Sequence, residues 1–246
     1  MTAVLRWTAR IHKWLALFVG IQIVIWVTGG VVMSLLDIDF VHGDQNVAPV
    51  QIVELDLADL ITPAVAAEAA ALPDVVKTVE LMPWAGRAVY QVADYAGASH
   101  LIDAHTGESL TPISEATAIA LAEQFHLGDL PARSAEYVEA FTTEYRGAEL
   151  PAWRVDFDDA DGTSLYYGAN SGMLTSRRND VWRIYDFFWM LHIMGYQDRD
   201  NFNTIWLQGF ALFSLVTVFA GLLLLFIKMR RSLLMALKQE QAKRRT

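Results

Sequence analysis

Residues 14–36 read WLALFVGIQIVIWVTGGVVMSLL, 23 consecutive positions without a charge, bounded by Lys13 and Asp37. A second stretch, residues 201–227, reads NFNTIWLQGFALFSLVTVFAGLLLLFI and runs for 27 positions between Asp200 and Lys228. At about 1.5 Å of rise per residue, either one wound as a helix crosses a hydrocarbon layer roughly 30 Å thick. Buried helices of water-soluble domains rarely stay charge-free for so long. Gly20, Gly29, Gly30, Gly209 and Gly221 do not weaken the reading, because glycine is common in membrane helices. Nor does the first stretch resemble a cleaved signal peptide, since its apolar run is too long and no small-residue cleavage pattern follows it. The two stretches therefore predict transmembrane helices over 14–36 and 201–227, with the lipid bilayer as an obligatory partner.

Charge orients the pair. Residues 1–13 carry Arg6, Arg10 and Lys13 with no acid, and residues 228–246 carry seven basic residues against Glu240. The segment between, 37–201, holds 27 Asp and Glu against nine Lys and Arg. The positive-inside rule then puts both termini in the cytoplasm and the central segment outside, which predicts a bacterial inner-membrane protein with a periplasmic domain. So acidic a segment excludes nucleic acid as its partner. The whole chain of 246 residues is 54% hydrophobic and 19% charged, which excludes disorder. With no cysteine, it has no disulfide framework, thiolate zinc site, self-ligated iron–sulfur cluster or cysteine nucleophile.

Between the spans one pattern is written twice, about 55–112 and 113–178. The first copy opens with Thr62 as helix cap and Pro63 at the first helical position, and the helix is predicted to run to Leu72 before Pro73. Strand-like runs follow at Val75–Met82, Ala88–Asp94 and His100–Asp103, then a turn at Thr106-Gly107. The second copy opens with Ser114 as cap and an amphipathic helix over Ala118–Phe125. Its strand-like runs are Ala135–Glu144, Ala152–Asp158 and Ser164–Tyr167, with a turn at Ser171-Gly172. Tyr90-Gln91-Val92 aligns with Trp153-Arg154-Val155, and the second hairpin is two residues longer, turning at Asp161-Gly162. The predicted fold is α+β: two helix-plus-antiparallel-sheet repeats within 37–178, between membrane spans. Residues 182–194 add an amphipathic helix in the 179–200 linker, with Trp182, Tyr185, Phe188, Trp189 and His192 at helical spacing, as expected at a membrane interface.

This arrangement resembles the PepSY domain, and with its spans the chain resembles the PepSY-associated transmembrane family of iron-regulated inner-membrane proteins. The resemblance rests on residues 11–17 (IHKWLAL), Asp37-Ile38-Asp39, residues 150–155 (LPAWRV) and residues 182–192 (WRIYDFFWMLH), and covers nearly the whole chain. It implies a ferric-siderophore reductase-like function, with haem b held by histidines. Larger members have four or more spans, whereas this chain has two.

Six histidines are available: His12, His42, His100, His105, His126 and His192. None lies within a charge-free stretch, so no pair clamps a haem at the membrane centre. His12 shares a helical stripe with Val19, Trp26, Gly30 and Met33, suited equally to a flat cofactor or to a neighbouring helix. His192 shares a face with Tyr185 and Trp189, suited to axial ligation or to interfacial anchoring. On opposite faces of the bilayer, His12 and His192 cannot share one haem within a protomer. His42, on the same side as His192, is its candidate partner; otherwise each ligand pair is completed by another membrane subunit or a homo-oligomer.

His100, His105 and His126 read as exposed or structural, and no metalloprotease spacing is present. Asp156, Asp158, Asp159 and Asp161 read as a charged hairpin tip, because the ligand order of an EF-hand is missing. Arg177, Arg178 and Arg183 are placed to meet lipid phosphates or an anionic ligand. No nicotinamide- or flavin-binding motif occurs, so electrons would come from a separate flavin- or quinol-linked donor. Two functions follow as expectations: an electron-transfer subunit supporting periplasmic ferric-chelate reduction, or a non-catalytic PepSY binding subunit that stabilises a larger respiratory or transport complex. Regulation of a peptidase is a third.

Overall fold

Residues 14–35 of the first charge-free stretch and 205–227 of the second lie in long helices. Helix α1 spans Ala3–Leu35, and within it Ala9–Leu35 is long and apolar enough to cross a membrane. The computed structural model describes residues 3–48, 55–196, 199, 201 and 203–243, which divide into a helical unit (through Leu35 and from Phe187) and a sheet unit (Leu36–Asp186).

In the helical unit the last helix runs antiparallel to α1. As residue numbers rise along α1, its partners fall: the His12 ring sits at Gly221, Phe18 meets Phe213 at 6.3 Å, and Trp26 meets Phe210 at 5.7 Å. Partly or fully buried residues of α1, among them His12, Ala16, Val19, Gln22, Trp26, Gly29 and Met33, recur every three or four positions, the spacing of a left-handed helix–helix seam. That last helix spans Ile205–Lys243, of which Ile205–Gln241 meets the same membrane criterion. It does not stop at Lys228, because residues 228–243 contain neither Gly nor Pro and are rich in good helix formers.

The sheet unit begins with α2 (Ile38–His42), capped by Asp37 and ended by Gly43 in the left-handed region at φ 73°. The first module is α3 (Pro63–Ala70) followed by β1 (Val76–Trp84), β2 (Arg87–Asp94) and β3 (Ser99–Asp103), an antiparallel meander in that order. Thr62 caps α3 by accepting from the Val65 N–H, and the helix ends short of Leu72 because Ala71 turns left-handed at φ 47°. Ala66 and Ala70 pack on Ala88, Val92 and Ile102, small residues that let helix and sheet approach closely.

The second module is α4 (Glu115–Phe125), capped by Ser114, and a sheet of four strands in order: β4 (Ala132–Val138), β5 (Ala152–Phe157), β6 (Ser164–Gly168) and β7 (Leu174–Arg178). Two features differ from the sequence reading. The strand placed at Ala135–Glu144 starts earlier and leaves the sheet after Val138, which lets Tyr145 bury fully, stack on Tyr166 at 4.7 Å and donate to the Glu149 carbonyl. β7 is a fourth strand where only a turn was expected. Leu121 and Ala122 of α4 pack on Val155, Phe157, Leu165 and Tyr167, and each large apolar side chain so buried contributes roughly 1.5–3 kcal/mol. Helix α5 (Asp180–Ile193) closes the order, with the division between the units falling between Asp186 and Phe187; the final helix is then α6.

The repeat extends to individual hydrogen bonds. The N–H of Ile61, just before the α3 cap, donates to Ala104 O; the N–H of Ile113, just before the α4 cap, donates to Ala169 O. The N–H of Ala104 donates to Ala88 O, and that of Ala169 to Pro151 O. Tyr90 and Trp153 occupy one ladder position, each pairing with the penultimate residue of the next strand (Ile102 and Tyr167). Their polar tips act alike, since the Tyr90 hydroxyl donates to Ile61 O and the Trp153 Nε1 to Ile113 O, both at 2.9 Å. The turns after β3 and β6 also match, with Gly107 donating to Asp103 O and Gly172 to Gly168 O, at φ 75° and 63°.

Candidate functional site

The three histidines singled out as haem ligands lie in different surroundings. His12 packs the Cε1–Nε2 edge of its ring onto α6 at Gly221, where a Cβ atom would sit 3.1 Å from Cε1 and 3.3 Å from Nε2. A side chain at that position would require the ring to give by a few tenths of an ångström. Near the end of α5, His192 lies beside Trp26, ring centroids 6.3 Å apart, where Phe188 and His192 of α5 face Gly29 of α1. The Nδ1 atoms of His12 and His192 are buried with no hydrogen-bond partner among the described residues. From His12 to Gly29, the neighbour of His192, is 17 residues of α1, or about 25 Å of helix, whereas two axial ligands flank a single iron. One copy of the chain therefore does not fit a haem between His12 and His192. His42 ends α2 in the sheet unit, with its side chain exposed.

The polar residues of the second module are engaged internally, which corrects the reading of its arginines. Arg177 pairs with Asp44 at 2.8 Å. Arg178 donates to the carbonyls of Glu144 and Arg177 and lies 4.1 Å over the Trp182 ring; burial holds its pKa below the usual arginine value. Arg183 forms an ion pair with Glu144 at 2.9 Å and donates to Gly162 O, and the bond to Glu144 raises its pKa. Nearby, burial pushes the Tyr166 phenol up to about 12. Asn179 caps α5 through the Trp182 N–H and donates to Phe40 O, so it ties the start of the sheet unit to its last helix. These groups hold the fold rather than offering charge to lipid.

His126 is structural. Its ring stacks on Phe157 at 4.0 Å, and its Nε2 lies 3.0 Å from Asp159 Oδ2. The Asp159 carboxylate also accepts from the Thr163 N–H and hydroxyl, and Thr163 accepts from Asn46. Desolvation alone would raise the Asp159 pKa, but the bonds from Thr163 and His126 outweigh it and hold the carboxyl below the ordinary range. Asp156 is used by Arg154 and Ser164. Among the described residues, no cluster of His, Asp and Glu could hold a metal ion.

A cleft of about 770 Å³ opens in the sheet unit where its two modules meet. One wall is the end of β1, Met82, Pro83 and Trp84. The Trp84 Nε1 donates to Gly172 O at 2.9 Å, and its ring lies where a Cβ on Gly172 would stand, which locks the β1–β2 hairpin against the β6–β7 turn. The floor is α4, with Leu121 inward, Phe125 half-buried and Gln124 exposed at the opening. A strap, residues 46–48, is stitched to the end of that helix: Ala48 donates to Phe125 O and Leu127 to Asn46 O. The other wall runs from Met173, just before β7, to Arg177. Tyr167 contributes beneath it, with its hydroxyl buried and without a hydrogen-bond partner among the described residues, and its pKa raised by that burial.

Asp44 and Arg177 are the charged residues that line the cleft, and they pair with each other. The arrangement offers apolar contact area and backbone groups, and the one carboxylate among its described lining residues is already engaged by Arg177. Sequence reasoning missed this cleft; the available signal was Trp84 directly before the Ala85-Gly86 turn. Comparison with protein-family models, curated proteins and solved structures finds no match to this chain.

Proposed function

We propose that the protein is an inner-membrane binding subunit: a PepSY-like pair of modules, held in the periplasm by two spans, that presents its cleft to an extracytoplasmic partner and stabilises a larger membrane complex. The observation that carries this reading is the composition of the cleft, apolar along the end of β1 and the inner face of α4, with Met173 and Leu174 leading into a more polar third wall, and with the one carboxylate among its described lining residues paired to Arg177. Pockets of 300–1,000 Å³ lined in this way are the usual form of a ligand site. The acidic sheet unit, with 25 Asp and Glu against eight Lys and Arg, supports a location outside the positive-inside boundary.

Electron transfer is the second reading, favoured by the buried, unpartnered Nδ1 atoms of His12 and His192. His12 or His192, with a further histidine from a second copy of the chain, would hold a haem b, whose one-electron chemistry would serve ferric-chelate reduction with electrons from a separate flavin- or quinol-linked donor. Purification from native membranes separates the two. The binding reading expects a stoichiometric protein partner and no b-type absorption. A b-type spectrum that disappears in the His12→Ala, His192→Ala double variant, from a preparation free of other proteins, would overturn it in favour of electron transfer.

A further inference from the structure

We infer that the cleft takes an extended polypeptide segment, apolar in its middle and basic at its ends, which pairs with β7 as a fifth strand. The inference rests on the binding-subunit reading above and names the chemistry of the partner. Five consecutive residues, Met173 to Arg177, line the cleft. The β6–β7 ladder shifts register between Tyr166 and Tyr167, opposite Thr175, yet every residue from Met173 to Arg177 lines the cavity, so the cavity runs along the outer edge of the strand. β7 is the last strand of its sheet. Beyond its ladder with β6, residues 174–178 make no backbone–backbone hydrogen bond among the described residues. The Arg177 carbonyl is taken by the Arg178 guanidinium, which leaves the row from Leu174 to Ser176 open. An unpaired row of N–H and C=O groups is a template for another strand.

The opposite wall cannot play that part equally. It is the end of β1, also an edge strand, but Pro83 has no N–H to offer. An inserted segment would therefore take its backbone bonds from β7 and set its side chains against Trp84, Leu121 and Phe125. At about 3.3 Å per residue, the open row from Leu174 to Ser176 spans roughly 10 Å and pairs with the middle of a short partner segment. The excess of acids over bases in the sheet unit, 25 against eight, draws a segment whose flanks are basic. A fatty acyl chain would use the apolar walls alone and leave the strand edge unpaired, which separates the two occupants experimentally.

The test uses the full chain in lipid nanodiscs and a fluorescent peptide of about five alternating valines and leucines flanked by lysines. The expected result is saturable binding that slows hydrogen exchange at the amides of Leu174–Ser176. N-methylation of alternate peptide amides should weaken binding about tenfold or more, and so should Gln124→Trp, which fills the opening from an exposed position without touching the core. Absence of peptide binding, equal binding of the N-methylated peptide, or displacement by palmitate with no change in exchange would each overturn the inference. If the unaltered chain co-purifies with a stoichiometric protein partner while the peptide fails to bind, the binding-subunit reading stands and the strand-addition inference falls.

Discussion

In the first module the chain leaves β3 through the Gly107 turn, returns two backbone bonds to β3 from Asp103 N–H to Glu108 O and from Leu110 N–H to Leu101 O, and is then diverted. In the second it leaves β6 through the same turn at Gly172, makes the equivalent bond from Gly168 N–H to Met173 O, and continues into β7. Diversion in the first module has a local cause. The Thr111 hydroxyl accepts the Leu101 N–H in place of a backbone carbonyl, and Pro112 has no N–H with which to extend a ladder. Two units with the same caps, ladder and turn thus diverge after one glycine, and only the second acquires the strand edge that forms a wall of the cleft.

The sharpest test of that divergence is to place a methyl group on each turn glycine. Both occupy the left-handed region, at φ 75° and 63°, so alanine at either position costs about 1–2 kcal/mol of backbone strain. At Gly107 the new Cβ would meet only Ile61 Cδ1 at 3.6 Å, an ordinary contact. At Gly172 it would lie 2.8 Å from Leu101 Cδ1 and 3.0 Å from the Trp84 ring, which adds about 1–3 kcal/mol of overpacking. Thermal unfolding of the full chain in nanodiscs should therefore show Gly172→Ala well below Gly107→Ala. Equal losses would mean that the junction between the modules yields without cost, and that the cleft wall is not fixed by Trp84.

A smaller effect tests what the modules share. Tyr90→Phe removes the hydroxyl that holds Ile61 O, and Trp153→Phe removes the N–H that holds Ile113 O. Losing one such bond costs about 0.5–1.5 kcal/mol. The first variant keeps the ring; the second also trims an indole, so Trp153→Phe should cost somewhat more. If Tyr90→Phe proved neutral while Trp153→Phe did not, the bond before the helix cap would be structural in one module only.

The parts of this fold legible in the sequence were those set by local rules. Absence of charge over 23 and 27 residues marks helices long enough to cross a membrane, and Thr62 and Ser114 announce helix starts because their hydroxyls meet free N–H groups within the first turn. β7 was not legible. All five of its residues are half-buried, so its side chains show no alternation of buried and exposed positions, and Arg177 and Arg178 look like surface charge. Their partners, Asp44 and Glu144, are far away in the chain, and spacing along a sequence does not reveal such pairs. The histidines show the same boundary. Helical spacing places His12 on a stripe facing something, but only the neighbour, Gly221 on α6, shows what its ring touches. The cleft depends on three separate elements converging, and no one of them carries its signature.

The smallest predicted effect concerns how the second module is fastened to the segment before it. Asn46 donates to Thr163, and Thr163 donates to Asp159, whose carboxylate also faces His126. Because hydrogen bonds hold the folded Asp159 pKa below its unfolded value of about 3.9, its contribution to stability is present above that pH. It is lost as the pH falls through the folded value. Asp103 in the first module is held low in the same direction, but burial there is opposed chiefly by bonds from Thr106 and His105 within its own turn. Asp159→Asn should therefore flatten the acid limb of the stability curve below about pH 4 and speed hydrogen exchange at the Ala48 and Leu127 amides, which tie the strap to α4. Asp103→Asn should flatten the same limb while leaving those amides protected. If both variants loosened the strap alike, the network from Asn46 to His126 would not be what fastens it.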